Sequence, residues 1–158
     1  MSFTDVIVAL KIDEGANMVL GRHQAYRCPS GRWSIGYGHN LEAHGIPADL
    51  VAPLLSGKGI TCIQADQLLY ADATQAQRDA AGLIPNWITL DDVRQDVVTN
   101  MSFNMGRMTL STFHDFLSAV NRKDFSDASA EMLDSVWAMQ TGNRAKRLAK
   151  EMLTGKVA

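Results

Sequence analysis

Tyr26-Arg27-Cys28-Pro29-Ser30-Gly31-Arg32-Trp33-Ser34-Ile35-Gly36-Tyr37-Gly38-His39 is the stretch that decides how this chain is read. Pro29, Ser30 and Gly31 supply turn chemistry, and Trp33, Ile35 and Tyr37 alternate with small residues at a period of two. Gly36 and Gly38 permit close backbone approach, so the stretch reads as a hairpin carrying polar side chains. Upstream, Phe3, Val6, Ile7, Leu10 and Ile12 fall near helical spacing within residues 2–14, and Gly15 is a C-terminal stop. One acid, Glu14, thus stands at a helix end just ahead of the hairpin, an arrangement that points to a cleft.

Residues 16–59, rich in Gly, Pro and aromatic alternation, read as a small sheet with loops, punctuated at the exit by Gly45, Pro47, Pro53, Gly57 and Gly59. Helices follow. Thr61 is an N-cap for a long helix to about Ala81, with Ile63, Leu68 and Leu69 buried and Gly82 and Pro85 ending it. Thr89 caps a helix through Asn104, Ser111 one through Asn121, Asp124 one toward Trp137, and Gly142 or Asn143 a last one ending at Gly155. Met101, Phe103, Met105, Phe113, Phe116, Leu117, Val120, Met132, Leu133, Val136 and Trp137 form the expected core, the methionines as gap-fillers. The expected class is α+β: a single domain over 1–158, with a hairpin lobe at 14–60, a helical lobe at 1–13 plus 82–158, and the 61–81 helix linking them.

At 158 residues and 46% hydrophobic, the chain is long enough to bury a real core. No run of about eighteen apolar residues occurs, so no spanning or stable membrane insertion is expected, and residues 1–10 lack the regions of a signal peptide. The expectation is a cytoplasmic chain. Cys28 and Cys62 are too few for a disulfide framework and make no metal-ligand spacing with the four histidines, so two reduced thiols and no metal are expected. Net charge is −2, but residues 141–158 carry +4 through Arg144, Lys146, Arg147, Lys150 and Lys156 against Glu151. Such a strip attracts an anionic polymer or is simply a solvated face, and it lacks the aromatic interleaving of a nucleic-acid platform.

Four glutamates occur against thirteen aspartates, and only Glu14 joins a helix end to the hairpin. There, the negative end of the helix dipole and partial burial both favour the protonated form that a general acid needs. Elsewhere, a glutamate at such a position merely closes a surface turn.

The segments 11–15 (Lys-Ile-Asp-Glu-Gly) and 25–39, then 100–106 (Asn-Met-Ser-Phe-Asn-Met-Gly) and 140–147 (Gln-Thr-Gly-Asn-Arg-Ala-Lys-Arg), resemble the phage-type lysozymes, in the same order and at nearly the same separations. The resemblance implies a muramidase endolysin that hydrolyses the β-1,4 bond between N-acetylmuramic acid and N-acetylglucosamine in peptidoglycan, with no cofactor and with inversion. It places Glu14 on the general acid. Cys28 falls where the family usually has an aspartate assisting the water, and Ser34 where it has a water-holding threonine. Arg144 falls on the residue that pairs with the glutamate across the lobes, and His39 and Asp72 on a structural ion pair in which the histidine's pKa rises and the aspartate's falls. Gln140, Asn143 and Phe103 to Met105 fall on cleft walls. His23, His44 and His114 default to satisfied core residues.

Two departures from the family pattern bear on chemistry. A thiol with a pKa of about 8.5 is a weak base near neutrality unless its surroundings lower that value. Thirteen residues also separate Glu14 from Cys28, more than is usual in the family. The extra length reads as a loop carrying Arg22 and His23 on the cleft rim, which puts the acid-to-base separation of roughly 6.5 to 9.5 Å required for inversion in question. The alternatives are a lytic transglycosylase, which needs no water and leaves 1,6-anhydro ends, and a non-catalytic peptidoglycan-binding relative. The endolysin reading implies a monomer acting on peptidoglycan strands, without nucleic acid, held in the host cytoplasm until a holin admits it to the periplasmic wall.

Overall fold

The computed structural model describes residues 3–28 and 31–158, with side chains from residue 5 onward. The turn roles expected of Pro29 and Ser30, the helical start at Ser2 and the burial of Phe3 lie outside the described residues. In chain order the elements are α1 (Phe3–Glu14), β1 (Met18–Val19), β2 (Arg22–His23), β3 (Tyr26–Arg27), β4 (Trp33–Ile35) and β5 (His39–Asn40). Then come α2 (Ala48–Leu55), α3 (Cys62–Ala81), α4 (Asp92–Leu110), α5 (His114–Arg122), α6 (Phe125–Leu133), α7 (Val136–Thr141) and α8 (Asn143–Thr154), with a 3-10 turn at Trp87–Thr89. This is the expected α+β architecture, small antiparallel strands followed by helices. Two compact units divide the chain, one spanning Ile7–Asp72 and the other Ala73–Ala158 with the start of α1, so the division falls inside α3.

In the unit Ile7–Asp72, β3, β4 and β5 form an antiparallel meander with Tyr26 opposite Ser34, Arg27 opposite Trp33, Ser34 opposite Asn40 and Ile35 opposite His39. The strand expected through Tyr37 stops at Ile35, because Gly36 (φ +64°) and Gly38 (φ +87°) turn the chain back within three residues. The extra segment between Gly15 and Ala25, expected as a loop, is itself a two-stranded hairpin, with Met18 opposite His23 and Val19 opposite Arg22. Its turn residues Leu20 (φ +49°) and Gly21 (φ +74°) are both left-handed, as a type I′ turn demands.

Helix α2 was not expected. Pro47 precedes it and Pro53 lies inside it, so residues that read as punctuation are carried by a short helix. Ile35, Leu50, Ile60, Ala65 and Leu68 form the core, with Tyr37, Leu41 and Leu54 against it. Each fully buried aliphatic side chain there contributes about 1.5–3 kcal/mol. Thr61 does cap α3, and through a reciprocal pair: Thr61 Oγ1 accepts the Gln64 N–H at 3.2 Å while Gln64 Oε1 accepts the Thr61 N–H at 2.9 Å. Ile63, expected inside, is 72% exposed, and Ile12, one of the apolar residues at helical spacing in α1, is 77% exposed.

In the helical unit several caps shift. Thr89 donates its hydroxyl back to Asn86 O at 2.8 Å, and Asp91 caps α4 instead, its Oδ1 accepting the Arg94 N–H at 3.1 Å. Gly106 (φ 78°, ψ 156°) breaks α4 near its expected end. Ser111 donates to Met108 O, and α5 starts two residues later than expected, at His114 with Phe113 at the cap position. Asp124 caps α6 as expected, accepting the Asp127 N–H at 3.0 Å, but the helix ends at Leu133, and Ser135 starts α7 by accepting the Ala138 N–H at 3.1 Å. The last helix runs from Gly142 to Gly155 as expected. Met101, Phe116, Leu117, Val120, Met132 and Trp137 are buried in one core, with Met105 and Phe113 packed on its margin. Leu133 and Val136 instead face water, because the chain bends between α6 and α7 where continuous helix was expected.

Candidate active site

Glu14 closes α1, where Gly15 turns left-handed and donates its N–H to Lys11 O at 3.2 Å. Its half-buried carboxyl lies against the turn that follows β4: a Cβ built on Gly38 stands 3.2 Å from Glu14 Oε2. Glycine is favoured there, since φ is +87° and any side chain would press on the carboxyl. Tyr26 completes the group. Its half-buried phenol has a pKa raised first by burial and then by the charges of Glu14 and Cys28, with the Gly38 backbone acting in the opposite direction. Two residues on along the same ladder, Cys28 falls on the same face as Tyr26.

Cys28 continues the β3–β4 ladder, its N–H donating to Arg32 O at 2.9 Å while its carbonyl accepts the Gly31 N–H at 2.8 Å. Ser34, at the centre of β4, lies between Tyr26 and Asn40 and is 3% exposed. Alternation places Arg27 and Trp33 on the opposite face, where the guanidinium stacks 4.8 Å from the indole centroid. The added length between Glu14 and Cys28 leaves this sheet in register, because β1 and β2 take it up as a separate hairpin.

Neither Arg22 nor His23 behaves as a rim residue. Arg22 Nε donates to Lys58 O at 2.8 Å and Nη2 to Gly59 O at 2.9 Å. His23 is fully buried and bridges Ile60, and Gly59 is required there because a Cβ would fall 2.3 Å from His23 O. The His23 ring meets Tyr37 edge-on at 4.9 Å, and neither ring nitrogen has a hydrogen-bond partner; the Gly36 backbone approaches it without normal hydrogen-bond geometry. Burial pushes its pKa down. His23 is thus a core histidine but an unsatisfied one, while His44 and His114 are exposed. His39 is paired as expected: Nδ1 lies 2.7 Å from Asp72 Oδ2, and Nε2 lies 3.2 Å from Gly45 O. Burial lowers the His39 pKa, but Asp72 and the Gly45 carbonyl outweigh it and the net shift is upward. Cys28 and Cys62 form no disulfide, and no cluster of three or more metal-ligating side chains occurs among the described residues.

The family model for phage lysozyme matches residues 18–151, opening four residues after Glu14 and taking in the whole sheet. The chain belongs to the phage lysozyme family. It is 28% identical to a probable T4-type lysozyme of Dictyostelium discoideum, over 92% of each chain. It is 31% identical to an endolysin of Acyrthosiphon pisum secondary endosymbiont phage 1, over 87% of this chain and 82% of that one. A pre-baseplate central spike protein of Enterobacteria phage T4 matches at 28% over 94% of this chain but only 27% of its own length. The role that follows is that of a lysozyme or endolysin, a glycoside-hydrolase type of enzyme.

The remaining expected site residues of this phage lysozyme lie in the helical unit. Arg144 Nε donates to Asn100 Oδ1 at 2.9 Å, Asn143 opens α8, and Gln140 is exposed on α7. Phe103 and Met105 are half-buried on α4 and flank Asn104, whose Oδ1 accepts the Trp137 indole N–H at 2.8 Å. Sequence reasoning gave Tyr26 no role of its own. The signal was present in the strand period of two, which sets Tyr26 on the same face as Cys28 and opposite Ser34.

Proposed function

We propose that this phage lysozyme is a muramidase, hydrolysing the β-1,4 bond from N-acetylmuramic acid to N-acetylglucosamine in bacterial peptidoglycan and thereby lysing the cell. The observation that carries the reading is the Glu14 carboxyl seated against Gly38, in the turn that follows the strand carrying Ser34. In the proposed reaction Glu14 gives its proton to the glycosidic oxygen as the C1–O bond breaks. A water held by the Ser34 hydroxyl attacks C1 from the other face, and Cys28 polarises that water or takes its proton, inverting the anomeric centre. Arg144 and the α4 and α7 side chains enter only through the family resemblance. On the endolysin reading, the enzyme stays in the host cytoplasm until a holin-type lesion admits it to the wall.

Mass spectrometry of muropeptides released by wild type, Glu14→Gln and Cys28→Ser tests the reading. The expected products carry reducing ends on muramic acid and vanish with Glu14→Gln. Products in the 1,6-anhydro form would establish a lytic transglycosylase, and no released muropeptides from wild type would establish a non-catalytic relative.

A further inference from the structure

The hairpin β1–β2 presents three consecutive apolar side chains to water: Met18, Val19 and Leu20 are 43%, 54% and 98% exposed. Leu20 also holds a left-handed conformation (φ +49°) that asparagine or glycine adopts far more readily. A bulky apolar residue kept at a turn position that disfavours it, and almost wholly in water, needs a reason outside the fold.

The surroundings supply one. A groove of about 530 Å³ runs beside the tip, lined by Val19, Leu20, Arg22, Gln24, Gly57 and Lys58. Neither residues 16–25 nor residues 54–63 contain a single Asp or Glu, so the two segments bring Arg22 and Lys58 with no carboxylate of their own. The Arg22 guanidinium is tied to the Lys58 and Gly59 carbonyls, which fixes the second segment beside the hairpin, and Lys58 itself is exposed. Leu55 (84% exposed) stands on that same segment, and Ile63 (72%) follows Cys62, whose Sγ lies 3.9 Å from Gly21 O at the turn. Among the described residues the groove offers no aromatic ring on which a sugar could stack.

We propose that this surface docks onto an anionic lipid bilayer, with Leu20 and its neighbours entering the acyl boundary and Lys58 and Arg22 facing the headgroup phosphates. An apolar wedge supported by cations is the combination that binds a charged membrane peripherally, without any segment crossing it. No helix among the described residues is long and apolar enough to span one. The proposal is independent of the hydrolytic chemistry.

Co-sedimentation of the full chain with vesicles of phosphatidylcholine, alone or mixed with phosphatidylglycerol, tests it. Wild type and Glu14→Gln are expected to sediment alike with the mixed vesicles, less at high salt, and to stay in solution with the neutral ones. Lys58→Gln should weaken partitioning about fivefold, and Leu20→Asn should weaken it several-fold with no loss of thermal stability, since asparagine suits the turn. Wild type remaining in solution with the mixed vesicles would overturn the proposal, as would Leu20→Asn sedimenting like wild type. Binding to purified sacculi but not to vesicles, lost in Leu20→Asn, would assign the surface to the wall polymer instead.

Discussion

Gly38 and Glu14 share one space: the carboxyl Oε2 stands 3.2 Å from the point a Gly38 side chain would occupy. Gly38→Ala should therefore displace Glu14 as well as force an L-residue to φ +87°. The strain costs about 1–2 kcal/mol, and the few tenths of an ångström by which the carboxyl must give way should lower activity severalfold, less than the roughly hundredfold loss of a 1 Å misplacement. Chemical denaturation and a turbidity assay on permeabilised cells separate the two effects. Activity within twofold of wild type would show that Glu14 does not depend on this contact.

His39 and Asp72 give the hairpin unit a pH-dependent tie. Because the folded pKa of His39 lies above its ordinary value near 6.5, its contribution is fully present below about pH 6.5 and is lost as pH rises through the raised value. His39→Asn should cost about 2 kcal/mol at pH 5, with a smaller difference at pH 8, measured by urea denaturation at each pH. Equal stability of the two proteins from pH 4 to 8 would rule the pair out as a stabilising contact.

Asp96 behaves in the opposite direction. Its pKa is pushed up to about 7, first by burial and then by Asp5, Asp92 and Glu151, and its buried Oδ2 has no hydrogen-bond partner. An acid that holds its proton longer when folded destabilises the fold progressively from its ordinary pKa near 3.8 up to about 7, and fully above that. Asp96→Asn should raise the melting temperature at pH 8 by about 2–4 °C and change it little at pH 4. A melting temperature unchanged at pH 8 would show that the carboxyl ionises without penalty.

Cys28 should set the alkaline side of the activity profile. In a Cys62→Ser background, which removes the exposed thiol, activity should rise into the mildly alkaline range and fall on treatment with iodoacetamide. Full activity after saturating alkylation would exclude the thiol from the reaction.

Removing the Tyr26 hydroxyl tests the residue that sequence reasoning passed over. Tyr26→Phe should reduce turnover while costing only about 1 kcal/mol of stability. Unaltered turnover would confine Tyr26 to packing.

Much of this molecule was legible because local chemistry decided it. The Thr61 cap with Gln64, the Gly15 and Gly155 stops and the position of α8 each follow from residues whose preferences tertiary context leaves intact, whereas the His39–Asp72 pair, thirty-three residues apart, was readable only through the family resemblance. The errors occur where several residues compete for one role. Thr89 and Ser111 are good caps in isolation, but each hydroxyl finds a carbonyl three residues back, leaving Asp91 to begin α4. Proline at 47 and 53 masked α2, and the strand period gave no hint that Gly36 would end β4. At the site, the motif residues were readable one by one. The contact of Glu14 with Gly38 was not, because it joins a helix end to a turn twenty-four residues later.

Arg94 bears on the order in which the helical unit assembles. Its guanidinium pairs with Asp91, lies 3.6 Å from the Phe125 ring centroid, and donates to Met152 O at 2.8 Å and Leu153 O at 3.1 Å. The last carbonyls of α8 are thus satisfied by a side chain almost sixty residues earlier in the chain. Helix α8 cannot complete its own final turn while the chain is open, so its closing residues should be among the last amides of the unit to gain protection during refolding. An isolated peptide of α8 should fray at that end even though its sequence favours helix.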